Sequence, residues 1–97
     1  MKTYDKFYID GAWVDPAPPH RFEEVINPAT EEAFAKVALG NKADVDRAVE
    51  AAHRALTTGE WPKCNATKRG ALLRKLGDLI TEHCKSLAET EVRDNGK

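Results

Sequence analysis

The sequence has few of the residues on which several classes of protein depend. Its two cysteines, Cys64 and Cys84, argue against a disulfide-stabilised secreted domain and favour reduced thiols in the cytoplasm. No apolar run approaches the roughly 18 residues of a membrane-spanning helix, and the first residues have no apolar core of a secretory signal. The six glycines never stand in the G-x-G spacing of a dinucleotide or phosphate loop.

Neither sign of charge dominates the sequence. Fifteen lysines and arginines are interspersed with 16 aspartates and glutamates, which argues against nucleic acid or a membrane as the main partner. Apolar residues make up 41% of the chain, a proportion typical of a folded soluble protein. A length of 97 residues is enough for one small domain and not for two.

The side chains that could carry out chemistry do not form a recognisable set. Cysteine and histidine show no metal-ligand spacing such as C-x2-C. His83 and Cys84 are neighbours, but adjacent residues of a helix point about 100° apart and do not face each other. The paired carboxylates are explained by strand, turn and helix-cap positions, and the basic residues between 63 and 75 by a solvated helix face. The residues alone therefore predict a soluble α+β module without an active site.

The first 40 residues have strand patterns. Asp10-Gly11, flanked by aromatic and β-branched residues, predicts a hairpin turn, because both residues tolerate positive φ. After a proline-rich loop, residues 22–26 and the alternating residues 33–38 are strand candidates joined by the Asn27-Pro28 turn. We therefore predict two β-hairpins at about residues 7–38.

From residue 41 the apolar residues recur at helical spacing. Asn41 is a candidate N-cap for a helix at about 42–58, which has a stripe of small apolar residues. Asn65 is a candidate cap for a second helix at about 66–94, which at 1.5 Å per residue would be about 40 Å long. The expected order is two hairpins followed by two helices, the second of them long.

The second predicted helix has more apolar surface than its neighbours in the chain can cover. Gly70 and Gly77 lie in its interior, where each costs about 1 kcal/mol relative to alanine, so they indicate that another element packs closely there. Small exposed strands are likewise marginal without more sheet to join. We therefore expect further sequence downstream, and interpret Lys97 as a cut point.

Five stretches together carry a resemblance to a known family. They are Tyr8–Val14, Val25–Glu32, Ala43–Ala52, Arg69–Leu73 and Glu89–Lys97. In order and spacing they resemble the N-terminal part of the aldehyde dehydrogenase superfamily. The family usually has glycine in the turn after Asn-Pro-Ala-Thr, where this sequence has Glu31. If that position needs positive φ, glutamate costs roughly 1 kcal/mol there.

The resemblance implies that residues 1–97 are the N-terminal segment of an α/β fold with a Rossmann-like NAD(P)-binding domain, and thus an incomplete domain. The implied full-length enzyme is a homodimer or homotetramer that oxidises a small-molecule aldehyde to a carboxylic acid with NAD or NADP. Its catalytic residues lie beyond residue 97, and neither Cys64 nor Cys84 matches the nucleophile's motif. The fragment should therefore be inactive alone. The alternative is a free-standing, non-catalytic binding or assembly module.

The resemblance also implies an ion site within the chain. Many family members bind a structural K+ or Na+ through backbone carbonyls just before the Asn-Pro turn and an aspartate at the end of the long helix. The matching positions are Val25, Ile26 and Asp94. Oxygen ligands suit a hard cation, and the negative end of the helix would add a favourable potential. The alternative is that Asp94 is an ordinary polar residue of the last helical turn.

Overall fold

The computed structural model describes all 97 residues as five strands, three α-helices and one 3-10 helix. The strands are β1 (Lys2–Tyr4), β2 (Phe7–Ile9), β3 (Ala12–Val14), β4 (Phe22–Ile26) and β5 (Ala33–Ala38). The helices are α1 (Lys42–Thr58), α2 (Ala66–Glu82) and α3 (Cys84–Asn95), with the 3-10 helix at Trp61–Lys63. The α/β class and both predicted hairpins are confirmed.

The first hairpin has the geometry that its turn residues predict. Asp10 and Gly11 have φ values of 56° and 76°, the two successive positive angles of a type I′ turn. This turn matches the right-handed twist of β2 and β3, which pair antiparallel. Tyr8 lies opposite Trp13, and their ring centroids are 5.1 Å apart with a tilt of 59°. Such cross-strand aromatic pairs stabilise a hairpin that has little other sheet to join.

The second hairpin belongs to a three-stranded sheet in the order β1-β5-β4. β4 and β5 pair antiparallel, whereas β1 pairs parallel to β5 with Lys2 opposite Ala35. Pairing on both sides makes β5 the central strand, and Ala35 is one of the few buried residues. The sequence analysis did not predict β1, because three residues at the start of the chain carry no pattern of their own and pair with a distant strand.

The predicted helix at 66–94 is wrong as a single element, because the structure divides it into α2 and α3. His83, between them, has φ −101° and ψ 16°, outside the α-helical region. Its N–H donates to the Leu79 carbonyl at 3.0 Å, and its carbonyl accepts from the Leu87 N–H at 3.1 Å. Helical hydrogen bonding therefore continues on both sides of the break. No proline or glycine stands at this position, and the helical spacing of apolar residues continues across it. No sequence pattern therefore predicts the break.

Little of the chain is buried. Only four of 97 residues are buried, and none of them lies in α2 or α3. The radius of gyration is 17.1 Å, against about 13 Å for a compact domain of 100 residues. The accessible surface is 7844 Å², against about 5,500 Å² for a compact monomer of this mass. The apolar faces of the helices are therefore left uncovered by the rest of the chain.

One buried carboxylate joins the loop after β3 to the start of α1. Asp44 is 4% exposed and accepts hydrogen bonds from the Ala17 N–H at 2.8 Å and the Asn41 N–H at 3.0 Å. Asn41 caps α1 by accepting from the Asp44 N–H at 3.0 Å, which completes a capping box. The Asn41 amide also donates to the Ala17 carbonyl at 2.9 Å. The predicted N-cap is confirmed, and both acidic oxygens have backbone donors.

The second hairpin turns at a residue that is strained. The Asn27 carbonyl accepts from the Glu31 N–H at 2.8 Å, and the Asn27 side chain accepts from the Ala29 N–H at 2.9 Å. This closed turn gives Glu31 a φ of 62°, in the left-handed region that favours glycine. The condition set by the sequence analysis, that this position needs positive φ, is therefore met.

The Asp44 hydrogen bonds predict how stability depends on pH. Donation from the Asn41 backbone, and then from the Ala17 backbone, holds the pKa of Asp44 below its ordinary value. A lowered folded pKa means that the carboxylate stabilises the folded chain above the unfolded value of about 3.9, and that this contribution is lost as pH falls through the lowered pKa. We expect Asp44→Asn to lower the unfolding temperature at neutral pH by about 4 °C or more. This gap in unfolding temperature between wild type and Asp44→Asn should narrow below about pH 4.

Circular dichroism melts of the 97-residue chain across pH measure this gap. Asp46→Asn is the matched control, because Asp46 is exposed and only pairs with Lys42 on the surface. A gap between wild type and Asp44→Asn that stays constant down to pH 2 would contradict the role given to the carboxylate.

The strain at Glu31 predicts a stabilising substitution. Glycine adopts positive φ without the roughly 1–2 kcal/mol penalty of other residues, although it costs about 0.5–1 kcal/mol in unfolded-state entropy. We expect Glu31→Gly to stabilise the chain by about 0.5 kcal/mol, measured as a higher unfolding temperature of about 2–4 °C. Glu32→Gly, one position along and without positive φ, should lower it. Equal destabilisation by both substitutions would show that Glu31 is unstrained.

Candidate functional site

The end of α3 lies on the Asn27-Pro28 turn of the second hairpin. Gly96 caps α3 with φ 75°, and its N–H donates to the Val92 carbonyl at 2.8 Å. A Cβ atom at Gly96 would stand 2.9 Å from the Ala29 nitrogen and 3.1 Å from the Pro28 ring. Only glycine therefore fits between the helix end and the turn, by conformation and by space. The contact brings two distant parts of the sequence together.

This contact creates a groove between α3 and the three-stranded sheet. Its volume is about 610 Å³, and Val25 and Asp94 both line it. The remaining lining residues are Tyr4, Phe34, Ala35, Val37, Leu87, Thr90 and Glu91. Of the three predicted ion-site positions, the structure thus brings Val25 and Asp94 together. Ile26 is not part of the lining, and its side chain is half exposed.

The strand on the sheet side of the groove has irregular pairing at the predicted site. Val25 lies opposite Ala35 and Ile26 opposite Ala33, so Phe34 is an extra residue in β5. Such a β-bulge interrupts the ladder of hydrogen bonds and bends the strand. β4 is also an edge strand, so its outward backbone groups have no partner strand. Backbone oxygens in this region therefore have fewer hydrogen-bond partners within the sheet than those of β5.

The helix side of the groove is negative. Glu91 and Asp94 lie one turn apart on α3, and neither takes part in an ion pair. The last turn of a helix carries partial negative charge of its own. Two uncompensated carboxylates and a helix C-terminus thus surround one end of an otherwise apolar groove. This arrangement attracts cations.

A second cleft lies between the first hairpin and α1, with a volume of about 370 Å³. Arg54 lines it and pairs with Asp10 at 2.9 Å and Glu50 at 3.3 Å. Arg47, also in the lining, donates to the Asp15 carbonyl at 3.2 Å. Two arginines and two acids leave this cleft without net charge, so it presents no electrostatic preference for a ligand.

The side chains excluded as catalytic by the sequence analysis are not brought together by the fold. Cys64 is a free thiol that donates to the Glu60 carbonyl at 3.2 Å, and Cys84 is a free, exposed thiol at the start of α3. No three His, Cys, Asp or Glu side chains converge as a metal site. No helix has both the length and the apolar composition needed to cross a membrane.

Sequence reasoning missed two features of the groove. Gly96 was not singled out, although its lack of a side chain is needed both to end α3 and for contact with Pro28. Glu91 was not singled out, although its spacing of three residues from Asp94 places both on one helix face. That spacing was visible in the sequence. The contact at Gly96 was not, because no local pattern records a partner so far along the chain.

Comparison with known proteins assigns the chain to a family. The model of the aldehyde dehydrogenase family matches residues 13–97. Aldehyde dehydrogenase 1A1 of Gallus gallus is 44% identical over 95 residues, which are 97% of this chain and 18% of that protein. A putative aldehyde dehydrogenase, DhaS, of Bacillus subtilis is 44% identical over 92 residues, covering 95% of this chain and 18% of that protein.

Solved structures give the same result. A betaine aldehyde dehydrogenase from Staphylococcus aureus in complex with NAD+ superposes with a TM-score of 0.88 at 41% identity, covering 96% of this chain and 18% of that one. A Mycobacterium tuberculosis aldehyde dehydrogenase complexed with NAD+ superposes with a TM-score of 0.85 at 34% identity, covering 92% and 18%. The chain spans about a fifth of the length of these relatives. The resemblance of its five stretches is confirmed, and the chain belongs to the aldehyde dehydrogenase family.

Proposed function

We propose that residues 1–97 act as the N-terminal part of an NAD(P)-dependent aldehyde dehydrogenase, which oxidises a small-molecule aldehyde to a carboxylic acid. The family match over residues 13–97 carries this proposal. The NAD+ complexes of two structural neighbours support the cofactor class. The chain's share of about a fifth of its relatives' length supports its role as a part of a larger enzyme, an incomplete domain on its own.

The chemistry of this enzyme is proposed to lie in the remaining sequence. Residues 1–97 do not fit NAD(P), because they contain no glycine-rich loop whose backbone could hold its phosphates. An aldehyde oxidation through a covalent intermediate needs a nucleophile with a base in reach. The Cys64 thiol donates to a backbone carbonyl instead, and Cys84 is exposed. The chain is therefore inactive alone, and its part in the enzyme is structural.

We further propose that the groove at the end of α3 holds a structural K+ or Na+. The Asp94 carboxylate and the backbone carbonyls of Val25 and Ile26 would be its ligands. The unpaired acids Glu91 and Asp94 and the irregular edge of β4 support this, because hard cations prefer such oxygens. The ion would neutralise the end of α3 and join it to the strand. The full-length enzyme is proposed to be a cytoplasmic homodimer or homotetramer.

A chimera tests the proposed function. We expect the Staphylococcus aureus betaine aldehyde dehydrogenase, with its matching N-terminal segment replaced by residues 1–97, to reduce NAD+ in the presence of betaine aldehyde. Residues 1–97 alone should show no turnover. Absorbance of the reduced cofactor measures both. A folded but inactive chimera, or a well-folded chain that works only as a free-standing module, would contradict the proposal.

The ion proposal has its own test in the same chimera. We expect K+ or Na+ to raise its unfolding temperature relative to choline at equal ionic strength, since a ligand at 100 times its Kd stabilises by about 2.7 kcal/mol. Asp94→Asn keeps the side-chain volume, removes the charge and should abolish this shift. Asp78→Asn, an unpaired exposed acid on α2, is the control and should retain it. If K+ or Na+ raised the unfolding temperature equally in both variants, the ion would not be bound at Asp94.

A further inference from the structure

The end of α3 contains Asn95-Gly96, the one place in the sequence where asparagine precedes glycine. The other three asparagines precede Pro28, Lys42 and Ala66. The backbone nitrogen of the residue after an asparagine can attack the side-chain amide, because the product is an unstrained five-membered ring. Glycine favours this attack, since it has no Cβ atom in the way and more backbone freedom than any other residue. Asn95 is also exposed, so solvent reaches it.

A hydrogen bond holds the Asn95 side chain toward the residues that follow it. Its Oδ1 atom accepts from the Lys97 N–H at 2.9 Å, so the side chain lies along the Gly96 peptide. Attack by a nitrogen on Cγ places negative charge on Oδ1, and a backbone N–H already directed at that oxygen stabilises such a charge. One hydrogen bond thus both orients the side-chain amide and favours the attack.

Each of the other asparagines lacks one of these two conditions. Asn27 has the same hydrogen bond, from the Ala29 N–H to its Oδ1 at 2.9 Å, but the proline that follows it has no N–H to lose. Asn41 and Asn65 cap helices, and each accepts from a backbone N–H three residues further on. Their side chains are therefore directed at the next helical turn. Asn95 alone combines the forward hydrogen bond with a nitrogen that can attack.

Two contacts restrain the Gly96 nitrogen while α3 is intact. Its N–H donates to the Val92 carbonyl at 2.8 Å, which closes the last turn of the helix. Gly96 also lies so close to the Pro28 ring and the Ala29 nitrogen that a Cβ atom on it would collide with both. The nitrogen must leave its hydrogen bond and lose its proton before it can bond to Cγ of Asn95. Helix ends open locally at a much lower free energy than the whole fold, so this release needs no global unfolding.

We propose that Asn95 is a site of spontaneous deamidation, which starts when the last turn of α3 opens. The Gly96 nitrogen gives its proton to a solvent base and bonds to Cγ of Asn95. The bond between Cγ and Nδ2 breaks, Nδ2 takes up a proton and leaves as ammonia, and a succinimide ring remains. Water then opens the ring at one of its two carbonyl carbons and leaves aspartate or isoaspartate. The reaction needs only water, and the inference does not depend on the proposed function.

The products alter the contact between α3 and the turn at Pro28. Aspartate and isoaspartate both place a new carboxylate at the C-terminal end of a helix, where the partial negative charge disfavours an anion. Isoaspartate also inserts a methylene group into the backbone just before Gly96. The inserted group moves Gly96 out of register with both the Val92 carbonyl and the Pro28 ring. Deamidation therefore frees the end of α3 from the second hairpin and opens the groove that Asp94 lines.

Site-resolved mass spectrometry of the 97-residue chain, incubated at neutral pH, tests the proposal. We expect Asn95 to convert to aspartate and isoaspartate while the other three asparagines stay intact. Conversion should be about 5–30 times slower in buffer than in urea, which corresponds to an opening free energy of about 1–2 kcal/mol. Pro28→Ala removes most of the ring from the contact with Gly96 and should reduce this factor to below about 5. Pro62→Ala, in the 3-10 helix, is the matched control and should leave the factor unchanged.

The release of α3 has its own measurement. After incubation in buffer, the unfolding temperature of the wild-type chain should have fallen by about 4 °C or more, recorded by circular dichroism. Asn95→Gln keeps the amide but adds a methylene group, so the five-membered ring cannot form. The unfolding temperature of this variant should be the same before and after incubation.

Four outcomes would overturn the proposal. The first is an Asn95 that remains unmodified in buffer over about 30 half-lives of its conversion in urea. The second is an equal rate in buffer and in urea, because the end of α3 would then exert no restraint. The third is a Pro28→Ala chain that converts no faster than Pro62→Ala, because the contact with the second hairpin would then not control the opening. The fourth is conversion without any fall in the unfolding temperature, which contradicts the release of α3.

Discussion

The buried carboxylate of Asp44 holds the two halves of this chain together. A charged group away from water is tolerated only when hydrogen bonds replace its hydration, and Asp44 receives two, from the backbones of Asn41 and Ala17. In the sequence Pro16-Ala17-Pro18-Pro19, Ala17 is the sole residue with an N–H to donate. That single donor points at the start of α1. Because Asn41 returns a bond to the Ala17 carbonyl, loop and helix start constrain each other.

The second junction places the candidate ion site. It has no polar network and depends on the absence of a side chain, because Gly96 lies against the Ala29 nitrogen and the Pro28 ring, where a Cβ atom would collide. The left-handed conformation of Gly96 ends α3 there, which leaves Asp94 two residues earlier and facing the groove shared with Val25. The position of the carboxylate therefore follows from a steric requirement two residues away.

Features of this fold that depend on neighbouring residues were predictable, and those that depend on distant ones were not. The positive φ angles of Asp10 and Gly11 follow from the residues themselves, as do the caps at Asn41 and Asn65. β1 exists only because β5 accepts it, and the break at His83 carries no proline or glycine. For the site, residue chemistry suggested nothing at Val25 or Asp94. Their pairing came from the family resemblance, since a contact across most of the chain leaves no local pattern.

The apolar stripe of α1 has the spacing of a buried helix face, but no other part of this chain covers it. Its apolar stripe includes Val45, Val49 and Leu56, yet these residues are exposed, and the buried side is formed by Asp44 and Ala51. The same holds for α2, whose leucine face has no cover. Amphipathic spacing reports which face a helix buries in the completed fold. The uncovered faces on every helix and the lack of any catalytic constellation therefore have the same explanation. Under the proposed function, the sequence of this segment is shaped mainly by packing against the rest of an aldehyde dehydrogenase, and its contribution to the chemistry is to hold that packing in place.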